Sequence, residues 1–207
     1  MTALELQSDP LTARQLDLLR RMSRLTPAPC LFGGYAEDAL LAGSVTRPHD
    51  DIDWLVPRRE LELRLRQARS LGFTEFETWG EAAPGEPFYL FAQHGELCID
   101  IGVSDEIDGR SCLQVHRLAF EVGGTDAPAG YRVILPDDMY EHPPATLEGI
   151  EVHVASPLAL YQIRVGIASQ GSFGALSQAQ VATARRLRQR FFPGAGEADL
   201  APAIEPL

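Results

Sequence analysis

Lysine is absent from the 207 residues, so all 18 basic side chains are arginines. Any cationic side-chain contact to a phosphate must come from one of them, and a Walker-type phosphate loop is excluded because it needs its lysine. Cysteine is scarce. Cys30, Cys98 and Cys112 are odd in number and lack metal-type spacing, which argues against a disulfide framework or a zinc site. Cys30 and Cys98 sit in apolar runs and read as reduced core residues. No apolar run is long enough to span a bilayer. The opening "MTALELQSDPLTARQ" has no basic start followed by an apolar block, so a cytoplasmic protein is expected. Positive charge is also in short supply, with a net charge of −11. Nucleic acid is therefore not an expected partner. The one basic cluster, Arg185, Arg186, Arg188 and Arg190, reads as a solvated helix face.

What is present is a mixed pattern of helices and strands. Asp9-Pro10 reads as an N-cap followed by proline at the first helical position, and Leu11, Leu18, Leu19, Met22 and Leu25 follow on one side. "CLF" predicts a short strand running into Gly33-Gly34, and "YAEDALLAG" a short helix closed by Gly43. "DIDWLV" predicts a strand stopped by Pro57. Leu61, Leu65 and Ala68 stripe a third helix that Gly72 ends. Six strand-like runs follow: "FTEFETW", "PFYLFAQ", "ELCIDIGV", "CLQVHRLAF", "YRVIL" and "IEVHVA". Turn residues at Pro84-Gly85, His94-Gly95, Asp108-Gly109 and Gly123-Gly124 punctuate them. From Ser156 the pattern is helical again, and the tail after Pro193 reads as disordered. The expected architecture is α/β of the α+β kind, a mixed sheet flanked by helices. Residues 1–155 form the α/β domain, and residues 156–207 a helical segment and tail. Adjacent strand runs argue against a doubly wound sheet.

The chemistry concentrates in two strands. In "DIDWLV" alternation puts Ile52, Trp54 and Val56 on one face and Asp51 and Asp53 on the other, with Cα atoms roughly 6.5–7 Å apart at about 3.3 Å per residue. Such a pair repels unless one carboxylate is protonated or a cation sits between them. In "ELCIDIGV" the same alternation sets Asp100 apart from Ile99 and Ile101. If the two strands are neighbours, three carboxylates form a hard-oxygen site suited to Mg²⁺ and substrate phosphates. Two such ions are able to clamp the attacking and leaving oxygens of a phosphoryl displacement. Gly33-Gly34, between strand and helix, lets backbone N–H groups approach a phosphate.

The block "GGYAEDALLAGSVTRPHDDIDWLV" resembles the signature of small nucleotidyltransferases of the aminoglycoside and lincosamide type, within the polymerase-β-like superfamily. The matching residues are Gly33, Gly34, Tyr35, Asp38, Gly43, Thr46, Arg47, His49, Asp51, Ile52 and Asp53, with one extra residue between Asp38 and Thr46. Asp100 matches the family's third carboxylate, and "PPATLEGIEVHVASPLAL" resembles a downstream strand-to-helix junction. The resemblance covers about residues 30–165, and only the first block is specific. It implies transfer of a nucleoside monophosphate from an NTP, ATP being expected, onto a hydroxyl of a small acceptor. By this analogy Asp51, Asp53 and Asp100 hold Mg²⁺, with Asp100 also a candidate base. Gly33, Gly34 and Arg47 would contact the phosphates, and Asp38 and His49 belong to the same nucleotide-binding stretch.

Several residues have plainer readings. Asp38 either touches ligand or orients the loop after it. His49 reads first as a structural hydrogen-bond partner, and Tyr35 as buried against the sheet. The late helices carry no lysine and no acidic residue at the place where the family often has a basic residue followed by Asp. Arg164 is either a substitute phosphate contact or a surface arginine. Asp137-Asp138 reads as a solvated turn, and His94, His116, His142 and His153 form no spaced cluster. Two alternative functions stand beside small-molecule transfer. One is modification of a protein or tRNA in a toxin–antitoxin pair, and the other is nucleotide binding without turnover.

Overall fold

The computed structural model of the protein describes residues 9–78, 80–83, 85–116, 130–169 and 177–206. The helices are α1 (Pro10–Met22), α2 (Gly33–Leu41), α3 (Leu61–Ser70), α4 (Pro157–Ser169), α5 (Gln178–Phe191) and the one-turn α6 (Glu197–Leu200). The strands are β1 (Cys30–Phe32), β2 (Ile52–Pro57), β3 (Phe76–Thr78), β4 (Glu81–Ala83), β5 (Glu86–Pro87) and β6 (Tyr89–His94). They continue with β7 (Leu97–Ile107), β8 (Arg110–His116), β9 (Gly130–Ile134), β10 (Ala145–Leu147), β11 (Ile150–Val154) and β12 (Ile204–Pro206).

Ten strands form one mixed sheet in the order β10-β11-β1-β2-β7-β8-β9-β12, with β6 also paired to β7 and β3 to β6. Strand β1 runs parallel to β11 and antiparallel to β2, while β2 and β7 are parallel. The eleven-residue β7 extends beyond the apolar run that announced it. Its first half pairs with β2 and β6, and its last residues pair with β8.

The β2–β7 register is Ile52 beside Ile99, Asp53 beside Asp100, Trp54 beside Ile101 and Val56 beside Val103. All six of these apolar side chains are fully buried. Since register partners share a face, one face of the pair is a dry ladder and the other carries the two aspartates. At about 1.5–3 kcal/mol per buried side chain, the ladder contributes roughly 10 kcal/mol or more, which outweighs the repulsion of two neighbouring carboxylates.

Helix α1 begins as its sequence dictates, with Asp9 Oδ2 accepting from Thr12 N at 2.8 Å and Pro10 in the first turn. Its buried face includes Leu16, Leu18, Leu19 and Met22. Helix α2 starts at Gly33 itself and contacts β1, β2 and β10. Helix α4 lies on the aspartate-bearing face, where Gly166 packs against Val133 of β9. One apolar core includes Trp54 and Ile101 of the sheet together with Leu160, Ile163 and Leu187 of the late helices.

Some expectations shift. "FTEFETW" forms a strand only at Phe76–Thr78, with Phe73 buried ahead of it. Trp79, Pro84, the stretch 117–120 and Gly123-Gly124 lie outside the described residues. The tail is the main correction. Residues 197–200 form a helical turn, and β12 adds antiparallel to β9. Leu200 is buried, and the Arg110 guanidinium grips both Glu205 oxygens at 2.8 and 3.2 Å. The open edge of β9 offers unpaired backbone groups, and a Gly/Ala/Pro-rich segment takes them up despite its composition. Removing residues 201–207 is expected to lower the melting temperature by about 3–8 °C. Calorimetry of the truncated chain checks this, and an unchanged transition would show that β12 contributes nothing to the sheet.

Candidate active site

Three carboxylates meet at the C-terminal side of β1 and the start of β2. One oxygen each from Asp51, Asp53 and Asp100 lies within 4.8 Å of the others. Asp53 and Asp100 are register partners, and Asp51, just ahead of β2, comes from the same chain segment. Asp51 and Asp53 are half-buried and Asp100 is buried. Such a cluster is costly when fully ionised. Burial pushes the Asp100 carboxyl up to about 6, the hydrogen bond from Tyr89 pulls it down, and the Asp51 charge raises it further. Asp53 is raised well above the carboxylate range by burial first, then by Asp51, Asp100 and Glu37, with Arg164 opposing. Asp51 is raised too, by burial and then by Asp50, with His49 and Arg47 opposing.

Asp100 has two different oxygens. Oδ2 accepts the Tyr89 hydroxyl at 2.6 Å. Oδ1 is buried and has no hydrogen-bond partner among the described residues. A buried, unpaired carboxylate oxygen facing two other carboxylates fits a divalent cation, because positive charge satisfies it and relieves the repulsion at once.

The glycine pair meets this cluster directly. Gly33 has φ +67°, and a Cβ there would fall 2.0 Å from Asp53 Oδ2. A Cβ on Gly34 would fall 2.3 Å from His49 Nδ1 and 3.1 Å from Arg47 Nη2. Each glycine therefore makes room for a different neighbour. Gly33 admits the carboxylate, and Gly34 admits the loop that carries Arg47 and His49.

Asp38 holds that loop. Its Oδ2 accepts from Thr46 N at 2.8 Å and lies 2.9 Å from His49 Nε2, while Oδ1 accepts the Thr46 hydroxyl at 2.5 Å. The His49 ring packs at a tilt of 42° against the buried Tyr35 ring, 4.3 Å between centroids, and the His49 carbonyl accepts from Gln15 Nε2 at 3.0 Å. Gln15 Oε1 in turn accepts the Tyr35 hydroxyl at 2.7 Å. Asp38, His49 and Tyr35 are thus occupied within the protein and fix where Arg47 and Asp51 stand. Arg47 is half-buried beside Gly34.

Two neighbours of the cluster gave no signal in the sequence. Glu37 is one turn beyond Gly33 and is buried in an ion pair with Arg164 of α4. Burial raises its carboxyl, and Arg164 opposes the rise. Spacing of four residues from Gly33 places it over the same spot, but a lone Glu in a short helix carries no chemistry until α4 is in place. Tyr89 is likewise one aromatic in an alternating strand until β6 pairs with β7. Elsewhere Asp137 and Asp138 form an exposed turn, and Arg188 of the basic cluster pairs with Glu197 at 3.1 Å. His94 packs edge-on to Phe73, His142 is half-buried, His153 is exposed, and the His116 side chain lies outside the described residues. Among the described residues no helix is long and apolar enough to cross a membrane.

Without a cation the cluster opposes folding. Asp100 in the folded protein holds a proton up to about pH 6, whereas the unfolded chain loses it near 3.8. Its contribution to metal-free stability is therefore present below about pH 4 and is lost as pH rises through about 6. Asp53→Asn is expected to raise the metal-free melting temperature at pH 8, by a few degrees for roughly 1 kcal/mol. Thermal unfolding with a chelator present checks this, and a less stable variant would show that the carboxylates do not repel.

No protein-family model and no curated protein matches the sequence. Solved structures do match. A solution structure of the antibiotic-resistance factor ANT(2'')-Ia aligns with TM-score 0.61 at 19% identity, over 91% of this chain and 88% of that one. A crystal structure of ANT(2'')-Ia in complex with adenylyl-2''-tobramycin aligns with TM-score 0.60 at 18% identity, over 90% of this chain and 92% of that one. The mixed sheet and its helices are the nucleotidyltransferase-type fold that the sequence led us to expect.

Proposed function

We propose that this chain is a Mg²⁺-dependent nucleotidyltransferase that moves a nucleoside monophosphate, AMP from ATP, onto a hydroxyl of a polycationic aminoglycoside-like acceptor. The observation that carries this reading is the buried, unpartnered Oδ1 of Asp100 within 4.8 Å of oxygens from Asp51 and Asp53. The fold shared with a protein solved in complex with adenylyl-2''-tobramycin supports it. So does the net charge of −11, since an acidic protein attracts a cationic acceptor and repels tRNA. The working compartment is the cytoplasm, where ATP and Mg²⁺ are at hand.

Asp51, Asp53 and Asp100 would hold Mg²⁺, which supplies the positive charge needed to bring a triphosphate up to three carboxylates. The start of α2 at Gly33 and Gly34 has no side-chain cap, so its backbone N–H groups would meet the phosphates. Arg47 neutralises charge on the departing pyrophosphate. Asp38 and His49 act one step back, by holding the Arg47 loop. Arg164, paired with Glu37, keeps a cation behind Asp53. In the reaction an acceptor hydroxyl oxygen forms a bond to the α-phosphorus as the bond to the β-phosphate oxygen breaks. Pyrophosphate leaves, and the hydroxyl proton passes to a carboxylate oxygen of Asp100. Residues 1–155 serve as the catalytic α/β domain, and residues 156–207 as a helical segment that closes the cleft.

Incubation with labelled ATP, Mg²⁺ and a panel of aminoglycosides, lincosamides, small proteins and tRNA tests the proposal. Label is expected on an aminoglycoside, and label on protein or tRNA would reject the small-molecule reading. Asp53→Asn is expected to reduce transfer to background while the chain stays folded. Arg47→Ala is expected to raise the KM for ATP about tenfold or more, from the loss of a charge-assisted contact. Unchanged KM in steady-state kinetics would remove Arg47 from the phosphate site.

A further inference from the structure

Tyr89 has no part in the reaction as written above, yet its hydroxyl is bound to one of the three carboxylates. Strands β6 and β7 pair so that Tyr89 faces Gly102 and Phe91 faces Asp100. Tyr89 is therefore a diagonal neighbour of Asp100 on the same face, a separation that a tyrosine spans. Gly102, opposite it, leaves room for Phe32, whose ring a Cβ there would meet at 3.1 Å. The hydroxyl donates to Asp100 Oδ2 at 2.6 Å, and Oδ1 is left without a partner beside Asp51 and Asp53.

This division of the carboxylate bears on the ion. A small cation such as Mg²⁺ or Mn²⁺ takes few, well-placed oxygens in an octahedron, whereas Ca²⁺ takes six to eight and uses both oxygens of a carboxylate readily. We propose that Tyr89 is a positioning residue that restricts Asp100 to a single ligating oxygen and thereby tunes the triad to small divalent cations over Ca²⁺. The inference rests on the reading of the triad as a cation site. It adds a residue and a selectivity that the metal-binding reading alone does not require.

The test is Mn²⁺ binding to the nucleotide-free protein, followed by electron paramagnetic resonance, with Mg²⁺ and Ca²⁺ as competitors. Wild type is expected to bind Mn²⁺ and to release it to Mg²⁺ more readily than to Ca²⁺. Tyr89→Phe is expected to weaken Mn²⁺ binding about tenfold, as the loss of a hydrogen bond behind a ligand does, and to narrow or reverse the Mg²⁺-over-Ca²⁺ preference. In an Asp100→Asn background the same change should have no further effect, because Tyr89 acts through Asp100. Circular dichroism and thermal melting establish that each variant is folded. Equal affinity and preference in wild type and Tyr89→Phe would overturn the proposal and leave the cation site standing. An undiminished Tyr89→Phe effect in the Asp100→Asn background would also overturn it. Failure of wild type to bind Mn²⁺ would overturn both the proposal and the triad reading.

Discussion

The parallel pairing of β2 with β7 is the contact on which the rest of the molecule depends. It sets Asp53 directly beside Asp100. Like charges in that relation destabilise a sheet, and these are brought out of bulk water as well. They stay together because the opposite face of the same two strands is an unbroken apolar ladder from Ile52 and Ile99 to Val56 and Val103. A slip of one residue would bury the aspartates in the ladder and expose its isoleucines, so the register is strongly specified. The core on one face holds the charges in place on the other.

The surroundings follow from that tension. Gly33 gives up its side chain and takes a left-handed conformation so that Asp53 fits beneath the start of α2. Glu37 and Arg164 form a buried ion pair behind Asp53 that joins the early helix to the late one. The late segment thus contributes to the site as well as to the core. Asp38 ties Thr46 and His49 into a closed loop, and Gln15 of α1 braces that loop from beneath. The closed loop, the admitted carboxylate and the paired arginine converge on one small volume.

Much of this was visible in the residues, for a definite reason. Alternation in "DIDWLV" and "ELCIDIGV" identifies which side chains share a face, because the strand period is fixed by backbone geometry. Asp9-Pro10 announces α1, and Gly33-Gly34 marks the junction of strand and helix, since local conformation is what such residues control. The tail misled for the converse reason. Its composition describes a segment without enough apolar surface to fold alone, but β12 needs only the free edge of β9 and one ion pair from Arg110 to Glu205. Tyr89 and Glu37 were silent because their importance lies in what faces them across the sheet or on another helix.

The sequence by itself determined the local conformations, the two faces of each strand and the scarcity of positive charge, since these depend on neighbours along the chain. Only the tertiary structure decided that β7 lies beside β2 and not elsewhere in the sheet, that Tyr89 reaches Asp100, and that Arg164 pairs with Glu37. Those are contacts between residues 11 to 127 positions apart. They form where burial of the whole sheet gains more free energy than separating like charges would.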